Sequence, residues 1–133
     1  MLKKDFLNMV KENEKLVICL DFDGVIYKNS KGFHDGTLYD DPIDGAIESI
    51  KSLHEEGFRI IIHSCKCNPE RPLINGMSGK ELIRKWLKKY KISYAVEQIV
   101  HIKPNALAYV DDKGIRFENW SNTLKELNKL KII

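Results

Sequence analysis

The chain has 133 residues, 43% of them hydrophobic and 31% charged, with a net charge of +3. That length suits a single domain over 1–133, able to bury roughly two thirds of its unfolded surface. Acids and bases are mixed along the chain, so the small basic excess specifies neither nucleic acid nor membrane, and no apolar run approaches the ~20 residues that span a bilayer.

The opening segment, MLKKDFLNMVKENEK, follows its lysines at once with acids and lacks a long apolar run. It reads as an amphipathic helix with Leu2, Phe6, Met9 and Val10 on one face, not as a secretory leader. Three cysteines, Cys19, Cys65 and Cys67, fit reduced thiols in a cytoplasmic protein, with Cys19 a small core residue. The first strand is predicted over 16–20, LVICL. A polar stretch, 24–41, follows, and its Asp35-Gly36 pair is a hairpin-turn signal, so a small β-hairpin flap is expected there. Asp41 and Pro42 then read as N-cap and first residue of a helix that buries Ile43, Ala46, Ile47, Ile50 and Leu53 and ends at Gly57.

FRIIIH, 58–63, is the second predicted strand. A loop with Pro69, Pro72 and Gly76 leads to a capping box from Ser78 to Glu81. The helix behind it should turn Leu82, Trp86, Leu87 and Tyr90 inward. EQIVHI and ALAYV are the third and fourth strands, and IRF, 115–117, a short fifth. A last helix from about Ser121 should bury Leu124, Leu127 and Leu130. Alternating strands and helices predict an α/β fold, a three-layer α/β/α sandwich around a mostly parallel, Rossmann-like sheet.

Ligand crevices of such sheets lie outside the carboxyl ends of the strands. There the sequence places Asp21 and Asp23 after the first strand, Ser64 after the second, Lys103 after the third, and Asp111 and Asp112 after the fourth. Clustered carboxylates repel unless a cation joins them, and an all-oxygen site suits Mg²⁺. A carboxylate can attack phosphorus. A second carboxyl group can protonate the leaving oxygen and later deprotonate water. A hydroxyl and an ammonium can hold phosphoryl oxygens. Positions i and i+2 of a strand point the same way, which accounts for the spacing Asp21-Phe22-Asp23, and Gly24 lets the backbone turn away.

The ordered set LDFDGVI, IIIHS, Lys103 of IKP and AYVDD resembles the four motifs of the haloacid dehalogenase-like (HAD) phosphohydrolase superfamily, over 16 to about 120. The resemblance implies an enzyme, a Mg²⁺-dependent phosphatase forming an aspartyl-phosphate on a phosphomonoester. It makes Asp21 the nucleophile and Asp23 the general acid/base. Asp21, the backbone carbonyl of Asp23 and Asp111 would hold Mg²⁺, with Asp112 bound directly or behind them. Ser64 and Lys103 would act on the phosphoryl group, and Ser64, Cys65, Lys66, Lys103 and Arg116 would line the substrate site. Asp23 favours phosphate esters, since members with other chemistries generally carry another residue there. Larger members insert a cap domain after the first motif or between the second and third; here 24–41 is hairpin-sized and 65–102 is largely used by a helix and a strand, so a capless enzyme with an open site is expected.

VDDKGIRFENW resembles small bacterial and phage HAD-like domains, including the phosphatase half of polynucleotide kinase-phosphatases, so a polynucleotide end is an alternative substrate. Where those domains often carry serine-threonine-arginine, this chain has Ser64-Cys65-Lys66, and a lysine does not copy an arginine fork. The substrate is thus a phosphorylated molecule, small or macromolecular. Lys80, Arg84, Lys85, Lys88, Lys89 and Lys91 make a basic helix, a solvated face or a surface for nucleic acid. His63, Cys65 and Cys67 alternate but offer only three ligands for a zinc site. A receiver-like signalling domain would place its lysine last, whereas here an acid pair follows it. A catalytically silent Mg²⁺- or phosphate-binding module would not need the full acid set.

Overall fold

The computed structural model describes residues 3–5, 16–32 and 35–130. The amphipathic face expected of Leu2, Phe6, Met9 and Val10 lies outside them. The strands are β1 (Val17–Asp21), β2 (Arg59–His63), β3 (Val96–Val100) and β4 (Ala108–Val110); the helices are α1 (Ala46–Glu55), α2 (Gly79–Lys89) and α3 (Trp120–Lys129). They form a mixed α/β fold around one four-stranded sheet in the order β3-β2-β1-β4, with every pairing parallel. This is consistent with the expected α/β sandwich.

Parallel strands covered on both faces read as continuous apolar runs. VICL and III are such runs, and Ile18, Cys19, Leu20, Ile60, Ile61 and Ile62 are all buried. One pleat, with Ile18, Leu20, Ile60 and Ile62, joins Ile50 of α1 and Ile83, Trp86 and Leu87 of α2 in the main core. Cys19 and Ile61 lie on the other pleat. Burial raises the Cys19 thiol pKa, as expected of an inert core cysteine.

Gly57 ends α1 at φ 93° as expected, and the capping box of α2 forms in both directions between Ser78 and Glu81. The start of α1 differs. Its N-cap is Gly45, at φ 85°, not Asp41. Pro42 instead bridges Tyr27, Lys28 N–H donates to the Asp41 carbonyl, and Ile43 N–H donates to the Ile26 carbonyl. These backbone bonds clamp the stretch 24–41 to the body and hold 41–43 out of the helix. Ile50 is buried, while Ile43, Ala46, Ile47 and Leu53 are half-buried. In α2 the third buried residue is Ile83, with Leu82 and Tyr90 half-buried.

No strand forms among the described residues of 24–41, so the expected β-hairpin is absent there. Side chains organise that loop instead. The Tyr27 hydroxyl accepts N–H bonds from Tyr39 and Asp40, at 2.9 and 3.1 Å. The Asp35 carboxylate accepts from Thr37 N–H and Oγ1, turning Asp35-Gly36 into a local Asx turn. A short hairpin lies elsewhere: Ile74 and Met77 exchange both backbone bonds across Asn75 and Gly76, at φ 50° and 79°. Two positive φ values at Asn-Gly mark the primed turn of a tight hairpin.

The carboxyl-terminal part departs most from expectation. Residues 115–117 form no strand, and α3 buries none of its leucines: Leu124 is 50% and Leu130 59% exposed. A helical apolar period specifies a face but not its partner, and α3 packs extensively on no other described element. No helix among the described residues is long and apolar enough to cross a membrane.

Candidate functional site

β1 ends where its side chains leave the core. Phe22 is fully buried, stacked on Tyr27 at 5.1 Å between ring centres and edge-on to Trp86 at 5.2 Å. That anchor turns its neighbours Asp21 and Asp23 the opposite way, into a cleft of about 430 Å³. Asp111 and Asp112 enter the same cleft from the end of β4, the parallel neighbour of β1, and Ser64 and Cys65 enter from the end of β2. The strand-end acids expected from the sequence therefore do meet.

Asp21, Asp111 and Asp112 each bring one carboxylate oxygen within 4.8 Å of the others. No other such group of potential metal ligands occurs among the described residues, and His63, Cys65 and Cys67 do not form one. Burial raises the Asp21 pKa above the usual carboxylate value, opposed by the hydrogen bond from His63 and reinforced by the charge of Asp111. Asp111 moves the other way: its carboxylate accepts the Lys113 N–H at 2.8 Å, which lowers its pKa. Gly24 makes this packing possible. At φ 81° it has left-handed backbone, and a Cβ there would overlap the Asp112 carboxylate, 2.9 Å from its Cγ.

Asp23 faces the cleft but stands apart from the acid trio. Its Oδ1 lies 2.5 Å from Lys66 Nζ, and the Lys66 side chain is only 15% exposed. Ser64 is buried and caps the 3₁₀ turn Cys65–Cys67, its Oγ accepting the Lys66 N–H at 3.2 Å. One short turn thus sets both the serine hydroxyl and the lysine ammonium. Cys67, in the same turn, packs on the core, and burial pushes its thiol up to about 11, so it stays protonated at neutral pH.

Two expected site residues lie elsewhere. Lys103 is exposed and does not line the cleft; its Nζ sits 4.9 Å over the Tyr109 ring. It remains near enough for its charge to oppose the rise of the Asp21 pKa and to lower that of Asp111. β3 ends at Val100, so Lys103 belongs to the following loop and not to a strand end. Arg116 is exposed beside Glu118 and Asn122, outside the acid cleft.

His63 was not expected in the cleft. His63 Nδ1 lies 3.1 Å from Asp21 Oδ1, both half-buried. The parallel register sets Asp21 directly beside His63, so the two side chains leave the sheet together. The predicted strand over 58–63 already ended at His63; only the pairing reveals which acid it meets. Lys28 and Asn29 also reach the cleft, from the loop that carries the turn out of β1.

The basic helix is partly committed. Arg84 Nη1 donates to the carbonyls of Ser93 and Val96, at 3.1 and 2.9 Å, which ties α2 to the segment before β3. No family model, curated protein or solved structure matches the chain.

Proposed function

We propose that the protein is a capless, HAD-like phosphomonoester hydrolase that works through Asp21 with Mg²⁺ as its cofactor. The observation that carries this reading is the meeting of Asp21, Asp111 and Asp112 in one cleft with Asp23 and Ser64 beside them. The order of these groups along the chain, with an acid pair last, separates the reading from a receiver domain.

The donor set is all oxygen and suits a hard cation. The carboxylates of Asp21, Asp111 and Asp112, with the Asp23 carbonyl, would hold Mg²⁺. When bound, the ion would neutralise the converging charges and polarise the phosphoryl oxygens. The Asp21 carboxylate attacks phosphorus as the bond to the leaving alcohol breaks, and Asp23 gives its proton to the departing oxygen. Asp23 then takes a proton from water, whose oxygen attacks the aspartyl-phosphate and releases phosphate and free Asp21. Ser64 Oγ and the Lys66 ammonium, which has N–H donors beyond the one on Asp23, hold the phosphoryl oxygens meanwhile. Lys103 contributes charge from outside the cleft.

A panel of phosphorylated metabolites, phosphopeptides and 3′- and 5′-phosphorylated oligonucleotides tests the reading. Phosphate release should require Mg²⁺, stop with EDTA and return on adding the metal. Equal release from thoroughly metal-stripped protein would contradict it.

A further inference from the structure

A second cavity, of about 250 Å³, lies beside the acid cleft and is lined by Gly36, Leu38, Lys66, Arg71, Pro72, Ile74, Gly79 and Leu82. Lys66 stands between the two spaces: its side chain lines this cavity, and its ammonium reaches Asp23 of the acid cleft. A phosphoester whose leaving oxygen sits at Asp23 therefore has its organic group at the mouth of this cavity. On the proposed phosphatase reading, we infer that the cavity is the leaving-group pocket and that the substrate is an aryl phosphate with a single small ring.

Size, shape and charge each support that choice. The volume falls just below the ~300–1,000 Å³ of pockets for drug-sized ligands, which suits a group the size of one ring. Leu38, Pro72, Ile74 and Leu82 make the lining apolar, which excludes a polyol. Gly36 and Gly79 supply walls without side chains, which suit a flat group. Both positions disfavour a side chain, Gly36 chiefly because its backbone is left-handed at φ 89°. A Cβ on Gly36 would come within 2.8 Å of Ile74 Cδ1, and one on Gly79 would overlap the Lys66 carbonyl. The Asn75-Gly76 hairpin fixes Ile74 against the loop of 24–41, so the wall is preformed. Arg71 and the stem of Lys66 complete the lining, and an arginine is attracted to the face of an aromatic ring but not to an alkyl chain.

Aryl esters also have the better leaving group, so raw rates do not decide the matter; the ratio between variants does. Ile74→Trp, which fills the cavity, should lower kcat/KM for phenyl phosphate at least tenfold, mainly through KM, and leave glycerol phosphate within about twofold. Ile74→Ala, which cannot overpack, should shift preference toward naphthyl phosphate. A phosphotyrosyl peptide assayed beside phenyl phosphate tells whether the ring arrives free or on a protein. Binding is read separately by NMR with phenylphosphonate and methylphosphonate. Phenylphosphonate alone should move the Gly36 and Gly79 amides, and Ile74→Trp should abolish the shifts. Those shifts without turnover of any ester would uphold the pocket and remove the phosphatase reading. Unmoved amides, or equal losses on aryl and glycerol esters in Ile74→Trp, would overturn the pocket.

Discussion

Asp21 is a carboxylate held at a cost to the fold. Its folded pKa lies above the unfolded value of 3.8, chiefly through burial. An acid shifted this way costs nothing below its unfolded pKa, and the penalty grows as pH rises through the folded one. Metal-free Asp21→Asn should therefore melt higher than the parent protein at neutral pH, and the difference should vanish as pH falls toward 3.8. The same substitution should abolish phosphate release. A variant that lost stability at neutral pH would mark Asp21 as a structural group. At this scale the sequence was informative about Asp21, Ser64, Asp111 and Asp112, because a strand end is visible in an apolar run that stops at a polar residue. Lys103 was expected directly after the third strand, but β3 ends three residues earlier, at Val100, because the strand is shorter than its apolar run suggested. The Lys66–Asp23 pair was hidden because 43 positions separate its members, and only the fold sets them side by side.

Among the elements, two local devices can be separated by experiment. The capping box of α2 satisfies N–H groups at the helix start, and neither Ser78 nor Glu81 lines the acid cleft. Ser78→Ala should cost about 1 kcal/mol in urea denaturation and leave kcat/KM unchanged. Gly24 instead serves the site. Gly24→Ala forces a side chain into left-handed backbone and against Asp112, so it should cost more than about 1 kcal/mol and also depress activity. Full activity in Gly24→Ala would show that the Asp112 carboxylate need not stand where it does. The two glycine turns show why local signals mislead. Asp35-Gly36 and Asn75-Gly76 are both hairpin dipeptides. The residues around Asp35 are recruited to the Tyr27 hydroxyl and the Asp35 carboxylate, whereas the backbones of Ile74 and Met77 pair with each other.

At the scale of the molecule, the parallel sheet and its core were legible because buried central strands announce themselves as continuous runs of Ile, Leu and Val. The edge was less so. All three residues of β4 are exposed, and so are Phe117, Trp120, Leu124 and Leu130 on and beside α3. Periodicity correctly gave α3 its helix but could not supply a neighbour. The cleft draws on β1, β2 and the end of β4, so the central claim concerns the sheet edge as a whole: its acids form a covalent phosphoryl-transfer site built on Asp21. The most direct measurement is peptide-level mass spectrometry of Asp23→Asn after exposure to phenyl phosphate and Mg²⁺. Loss of the acid/base group should slow turnover about 10²–10⁴-fold and leave a phosphoryl group on the peptide containing Asp21, absent with EDTA and in the Asp21→Asn variant. Phosphate release that continues undiminished in Asp21→Asn, or a phosphoryl group found on a different residue, would contradict it.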